Sequence, residues 1–175
     1  MMKNFFAAAV LAFGLALAPA MLAVSPAAAQ GSVEMQAEVE ALILANQDDE
    51  AALELAISTY ITSAEDPELA TQAVIAALVN SQNPELVQLL IEKPGLKLAA
   101  GRGIGAAIAI VALTNPTAAE NMLALVQASG DQTLIAAVVE GRDAQTASLV
   151  GRGVDTGADV LEGEESTPEE AASGN

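Results

Sequence analysis

Two near-identical tetrapeptides, DPEL at residues 66–69 and NPEL at residues 83–86, decide the fold and lie 17 residues apart. Each places Asp or Asn before a proline and Glu just after it. The Asp or Asn side chain can accept hydrogen bonds from the free amides at the start of a helix. Proline suits the first helical position, and an acidic residue is favoured in the first turn. Each tetrapeptide therefore predicts the start of a helix.

Similar helix starts recur about every 16 or 17 residues. Asn115-Pro116 repeats the cap and the proline, Gly130-Asp131 combines a stop with a start, and Asp49 lies 17 residues before Asp66. Pro94-Gly95 marks one further break. A pair of helices consequently recurs about every 33 residues, a period typical of α-solenoid arrays.

Apolar residues between these starts recur with the spacing of one helix face. Helices of about three turns are not stable alone, so they must pack on one another. We predict an all-α fold of seven or eight short helices, stacked as antiparallel pairs in a small α-solenoid or a compact helical bundle, and we favour the solenoid. The stripes are Met35, Val39, Leu42, Ile43; Leu53, Ala56, Ile57, Tyr60; and Ala70, Ala73, Val74, Ala77, Leu78.

The segment 96–113 is apolar nearly all round, which predicts a buried central helix rather than a membrane span, because it is short and carries Arg102. Gly101, Gly105 and Ala109 are spaced by four residues and would form one small-residue stripe. Such a stripe lets a second helix approach closely.

Some helix ends are less sharply defined by the sequence. Thr117–Glu120 fits a capping box, so the helix near Asn115 has an alternative start two residues later. Gly141-Arg142-Asp143 and Gly151-Arg152-Gly153 are both interpreted as helix ends, with the arginine near the negative end of the helix dipole.

The first 29 residues are typical of a secretory signal peptide. Lys3 precedes a dense apolar run over residues 5–18, and Ala27-Ala28-Ala29 offers a small-x-small cleavage pattern. An uncleaved membrane anchor is the alternative, since residues 5–24 provide roughly the 20 apolar residues that a span needs. We favour cleavage and a periplasmic or secreted protein, with no integral membrane segment after cleavage.

The rest of the chain divides into two parts. Residues 30–150 are predicted to form one all-helical domain, since roughly 100–200 residues make an ordinary domain. In residues 151–175 glutamates lie among Gly, Ser, Thr and Pro without an apolar period, which predicts a disordered acidic tail.

Composition excludes several classes of function. With six basic and 23 acidic residues the net charge is −17, which is the wrong sign for binding nucleic acid phosphates. Tyr60 is the only aromatic residue beyond the signal segment, so base or sugar stacking has little support. Absence of cysteine and histidine from the sequence excludes thiolate nucleophiles, a Ser-His-Asp triad and Cys or His metal ligands.

No catalytic residue, cofactor site or metal site is predicted from the remaining residues. The glycine-rich run at Gly101–Gly105 lacks the preceding strand of a phosphate-binding loop. Asp48-Asp49-Glu50 lacks the ligand spacing of a calcium loop, so at most weak, non-specific binding of divalent cations is expected.

Architecture and composition favour a non-enzymatic exported binding or scaffold protein of the bacterial envelope, engaging a protein partner through a helical-repeat face. Lys93, Lys97 and Arg102 are the candidate partner-binding residues because nearly all other charge is negative. Arg102 is alternatively explained by pairing with a carboxylate. A self-associating structural component of the cell surface or biofilm matrix is the second hypothesis, and an enzyme that uses carboxylates alone is the third.

Overall fold

A computed structural model describes residues 26–156 of the chain, with side chains from residue 33 onward. This part is all-helical and compact, as predicted, and contains seven α-helices and no strand. The helices are α1 (Pro26–Ala45), α2 (Glu50–Ser63), α3 (Pro67–Val79), α4 (Pro84–Glu92), α5 (Pro94–Ala112), α6 (Pro116–Ala128) and α7 (Gln132–Gly151).

The predicted helix starts are confirmed by their hydrogen bonds. Five helices begin directly after an Asp or Asn whose side chain accepts from amides of the first turn, and these caps are Asp49, Asp66, Asn83, Asn115 and Asp131. At α6 the cap is Asn115 rather than the alternative at Thr117, with Ala118 N 3.1 Å from the Asn115 Oδ1. α5 differs, because it begins at Pro94 without a side-chain cap.

The longer helices pack in two rows. α5 lies between α2 and α7, with which it makes the most extensive helix–helix contacts in the described chain. α3 lies between α1 and α6 in the second row. Neighbouring helices within a row are not consecutive in the sequence. The connections between consecutive helices join the two rows.

Helices α2, α5 and α7 run in the same direction, because contacts progress along each pair in the same order. Their N-terminal ends therefore meet at one end of the structure, together with the loops that precede them. The contacts along α5 are Lys93 with Asp48 and Gly103 with Ile57 on α2, and Lys97 with Asp131 and Gly105 with Val138 on α7.

Glycines on both sides of α5 allow these close approaches. Gly101 and Gly105 face α7, where a Cβ on Gly101 would lie 2.7 Å from the Ala137 Cβ. Gly103 faces α2, where a Cβ would lie 2.6 Å from the Glu54 carbonyl oxygen. The predicted close approach of a second helix is confirmed at Gly101 and Gly105 of the stripe.

One prediction about α7 was wrong. Gly141 does not end a helix but lies in the middle of α7, buried against the backbone of Arg102. The local Gly-Arg-Asp sequence resembles a helix end, yet here glycine is explained by the contact with α5. The second predicted end is confirmed, since α7 ends at Gly151 and Gly153 has a φ of +77°.

α5 is the described helix that is long and apolar enough to cross a membrane by length and composition alone. It is longer than the sequence indicated, because it begins at Pro94 and reaches 19 residues. Of its most apolar window, 61% is buried inside the protein. The burial matches the central helix predicted from residues 96–113.

Two predicted segments fall largely beyond the described residues. The signal segment up to residue 25 and the acidic tail from residue 157 lie outside them. α1 continues through the predicted cleavage point after Ala29.

Candidate functional site

Lys93, the first of the three candidate partner-binding residues, lies between α4 and α5. Its Nζ is 2.6 Å from the Asp48 Oδ1 and donates to the Gln47 carbonyl oxygen at 3.2 Å. The lysine thereby ties the start of α5 to the loop that precedes α2. Both side chains are well exposed, so the pair adds little stability.

Lys97 lies one turn further along α5 and forms an ion pair with Asp131, the N-cap of α7. Both side chains are partly buried. The Asp131 Oδ1 also accepts from the Leu134 amide at 3.0 Å. The hydrogen bond from Lys97, followed by that from Leu134, lowers the pKa of the Asp131 carboxyl against the opposing effect of burial. One carboxylate therefore caps α7 and holds it to α5.

Arg102 is paired with α2. Its Nε donates to the Glu54 Oε2 at 2.9 Å, and its Nη2 lies 4.0 Å from the Glu50 Oε2. The alternative interpretation of this residue, an arginine with a carboxylate partner, is confirmed. The charge of Arg102 lies between helices whose backbones are brought close by Gly103.

The three cations do not converge on one point. They are distributed from the residue before α5 to the middle of that helix, and each has a carboxylate partner on α2, in the loop before α2 or at the N-cap of α7. Their evident role is to connect the three parallel helices electrostatically. Contact with a partner protein stays a prediction for Lys93, Lys97 and Arg102.

An apolar groove lies beside Lys97, between the C-terminal end of α3 and α4. Its cavity has a volume of about 230 Å³. Small-molecule sites usually measure roughly 300–1,000 Å³, so this groove suits one or two side chains of a macromolecule better than a whole ligand. The α3–α4 groove is lined by Ala77, Leu78, Val79, Ser81, Val87, Leu90, Ile91 and Lys97.

α4 shapes the groove because its apolar residues cover more than one face. Leu86 and Leu89 are buried against the rest of the protein. Val87 and Ile91, one turn apart, are exposed along the groove. Apolar side chains thus cover most of the circumference of α4, and only one strip of its surface is polar.

That remaining strip of α4 is polar and acidic. It consists of Glu85, Gln88 and Glu92, and the Gln88 Nε2 donates to the Glu92 Oε1 at 2.7 Å. This strip lines a second concavity together with Leu44 of α1 and Gln47 of the loop that follows α1. The exposed apolar residues and the acidic residues of α4 therefore line two different concavities.

Sequence reasoning missed this groove, although a signal was present. Five of the nine residues of α4, PELVQLLIE, are Leu, Val or Ile at positions 86, 87, 89, 90 and 91. A helix that buries one face needs only about three to four apolar positions in two turns. The excess on so short a helix indicates an apolar surface left uncovered.

Other parts of the described chain offer less chemistry. A broader, shallow depression between α3 and α6 is crossed by a hydrogen bond of 3.0 Å from Asn121 to Glu68. Within residues 33–156 no three His, Cys, Asp or Glu side chains are grouped to hold a metal ion. Gly101–Gly105 is helical and buried within α5, so it provides no phosphate-binding loop.

Comparison of the chain with protein-family models, curated proteins and solved structures gave no match. The class of protein is accordingly defined by the architecture: a compact all-helical domain of two helix rows with an apolar groove at one end.

Proposed function

We propose that this chain is a non-enzymatic exported binding or scaffold protein of the bacterial envelope, which engages a protein partner through a surface of its helical array. The observation that carries the proposal is the α3–α4 groove. Val87 and Ile91 are exposed there, on a helix whose opposite face is already packed.

The row arrangement supports interpretation as a short α-solenoid. α1, α3 and α6 form one row and α2, α5 and α7 form the other, so the chain alternates between two layers of helices, with α4 between α3 and α5 in the sequence. In such arrays each repeat packs on its neighbours, and the loops and helix faces along one side form an extended surface for a partner. Here α4 adds an apolar element at the end where the starts of α2, α5 and α7 meet.

Export is supported by the sequence alone. Lys3, the apolar run over residues 5–18 and the alanines at 27–29 form the arrangement of a signal peptide. The absence of cysteine is compatible with either an oxidising or a reducing compartment.

Self-association of the chain is the alternative function. Faces rich in Ala and Gly would suit close contact between copies, but Gly101, Gly103, Gly105 and Gly141 already contact neighbouring helices within the chain. A self-associating chain would need a different surface.

Crosslinking in the native envelope, followed by affinity capture and mass spectrometry, tests the proposal. A reproducible adduct with one foreign protein supports a binding or scaffold role. Adducts only between copies of this chain would move the assignment to a structural component. Recovery in the cytoplasm of a chain that retains residues 1–29 would contradict export.

A further inference from the structure

The residue that follows the predicted cleavage point is a glutamine. Ala27-Ala28-Ala29 offers a small-x-small pattern, so cleavage after Ala29 makes Gln30 the first residue of the exported chain. We infer that Gln30 then cyclises to pyroglutamate, which closes the amino terminus of the mature protein. This inference rests on the proposed export and adds a modification site to it.

Cyclisation joins two groups of the same residue. The uncharged α-amino nitrogen of Gln30 attacks the carbonyl carbon of its own side-chain amide, so a new C–N bond forms and the bond from that carbon to the amide nitrogen breaks. Ammonia leaves with the proton that the amine gives up. The reaction needs no second reactant, and holding both groups within one residue removes the entropy cost of bringing them together.

The start of α1 leaves the new amino terminus free to react. α1 runs from Pro26 to Ala45, so Gln30 opens the helix that remains after cleavage. The first amide nitrogens of a helix have no acceptor within it, so the reaction breaks no intrahelical hydrogen bond of this nitrogen. Gly31, the next residue, has no Cβ that would crowd the new ring.

The core contacts of α1 begin well after the cleavage point. Val33 is 66% exposed and Glu34 is exposed as well. Val39 is the first described side chain of α1 that is fully buried, and it lies roughly 13 Å along the helix axis from Gln30. Removal of residues 1–29 therefore leaves the described packing of α1 in place.

Cyclisation changes the charge and the chemistry of this end of the chain. Loss of the amino group removes a positive charge from the amino end of α1, where the helix dipole disfavours it. Termini are also preferred sites of proteolysis, and a lactam offers no free amine to an aminopeptidase. The modification would therefore protect the start of α1.

Mass spectrometry of the exported protein tests the inference. The full chain is expressed in a bacterium, and free amines of the recovered protein are labelled before digestion, so that cyclisation during handling is not counted. A protease that cuts after glutamate then releases residues 30–34. We expect most of this peptide to be unlabelled and lighter than the encoded peptide by one ammonia.

Gln30→Asn is the matched control for this experiment. Asparagine keeps the side-chain amide, but its side chain is one carbon shorter, so the corresponding ring would be strained and should not form. We expect the peptide from this variant to carry the label. Recovery of both chains from the same cell fraction verifies that the substitution leaves export unchanged.

Three results would overturn the inference while leaving export intact. These are a label on the larger share of peptide 30–34, a mature chain that begins at a residue other than Gln30, and an equally unlabelled terminus in Gln30→Asn, which would show a different blocking group. Recovery in the cytoplasm of a chain that retains residues 1–29 would reject the proposed export itself.

Discussion

Gly105 of α5 and Gly141 of α7 pack so closely that neither position has room for a side chain. A Cβ on Gly105 would lie 2.5 Å from the Arg142 amide nitrogen, and one on Gly141 would lie 2.5 Å from the Arg102 Cα. Both contacts are with backbone, which cannot move aside as a flexible side chain can. The spacing of these two parallel helices therefore depends on both glycines.

Substitution of either glycine is expected to destabilise the fold. Because alanine favours helix more than glycine does, Gly105→Ala or Gly141→Ala alone would raise the free energy of unfolding by about 1 kcal/mol. Overpacking typically costs ~1–3 kcal/mol, and we expect a cost near the upper end of this range because backbone atoms must shift. We expect a net loss of about 1–2 kcal/mol in the free energy of unfolding, measured by chemical denaturation.

Gly151→Ala is the matched control for these two variants. Gly151 is the last residue of α7 and has no neighbour within 4 Å of its Cβ position. We expect it to be neutral or to stabilise by up to about 1 kcal/mol. Equal effects of all three substitutions would contradict the close contact between α5 and α7.

The ion pair between Lys97 and Asp131 predicts a pH dependence of stability. Because the pKa of Asp131 is lower in the folded chain than its ordinary value of 3.8, the carboxylate stabilises the fold above that pH. Its contribution is lost as the pH falls through the lower, folded-state pKa. Asp131→Asn retains a good N-cap but loses the charge.

We therefore expect Asp131→Asn to lower the free energy of unfolding by about 1–3 kcal/mol at pH 7. The difference from the unaltered chain should shrink when denaturation is repeated below pH 3.8. Asp143→Asn, which removes an exposed ion pair with Arg142, serves as control and should cost less than about 1 kcal/mol. A constant difference for Asp131→Asn across this pH range would show that its charge does not stabilise the fold.

Capping of α4 by Asn83 should control the stability of the groove. The Asn83 Oδ1 accepts from the amides of Glu85 and Leu86 at 3.1 and 3.4 Å. Asn83→Ala is expected to cost about 1 kcal/mol and to speed amide hydrogen exchange in α4, whereas Asn83→Asp should preserve both. Gln82→Ala, at the exposed residue next to the cap, is the control and should change neither the free energy of unfolding nor the hydrogen exchange in α4. Similar exchange rates in all three variants would argue against capping by Asn83.

The sequence predicted local features of this fold better than contacts between distant residues. Helix starts such as Asp66 and Asn83 are specified within four residues, because the cap and the amides it accepts from are neighbours. Gly141 was misinterpreted because its reason for being glycine lies on another helix. The carboxylate partners of Lys97 and Arg102 are 34 and 48 residues away in the sequence, so only the fold brings them together. The groove depends in the same way on which face of α4 stays uncovered.

A charge exchange tests whether Arg102 belongs to the partner surface. Arg102→Glu alone places a third carboxylate beside Glu50 and Glu54, so it should destabilise the chain. Adding Glu54→Arg should restore part of this loss, with a coupling energy of roughly 0.5–3 kcal/mol between the two sites. We expect the double variant to keep its native partner, because the groove lies elsewhere. Loss of the partner from this stable variant would place Arg102 on the binding surface, as the sequence suggested.

Photo-crosslinking in the cell at single positions tests the central claim most directly. A photoreactive residue is introduced at Ile91 or at Leu55, which are equally exposed on α4 and α2. The account predicts an adduct with one foreign protein from position 91 and none from position 55. Adducts of equal yield from both positions, or adducts only with further copies of this chain, would contradict it.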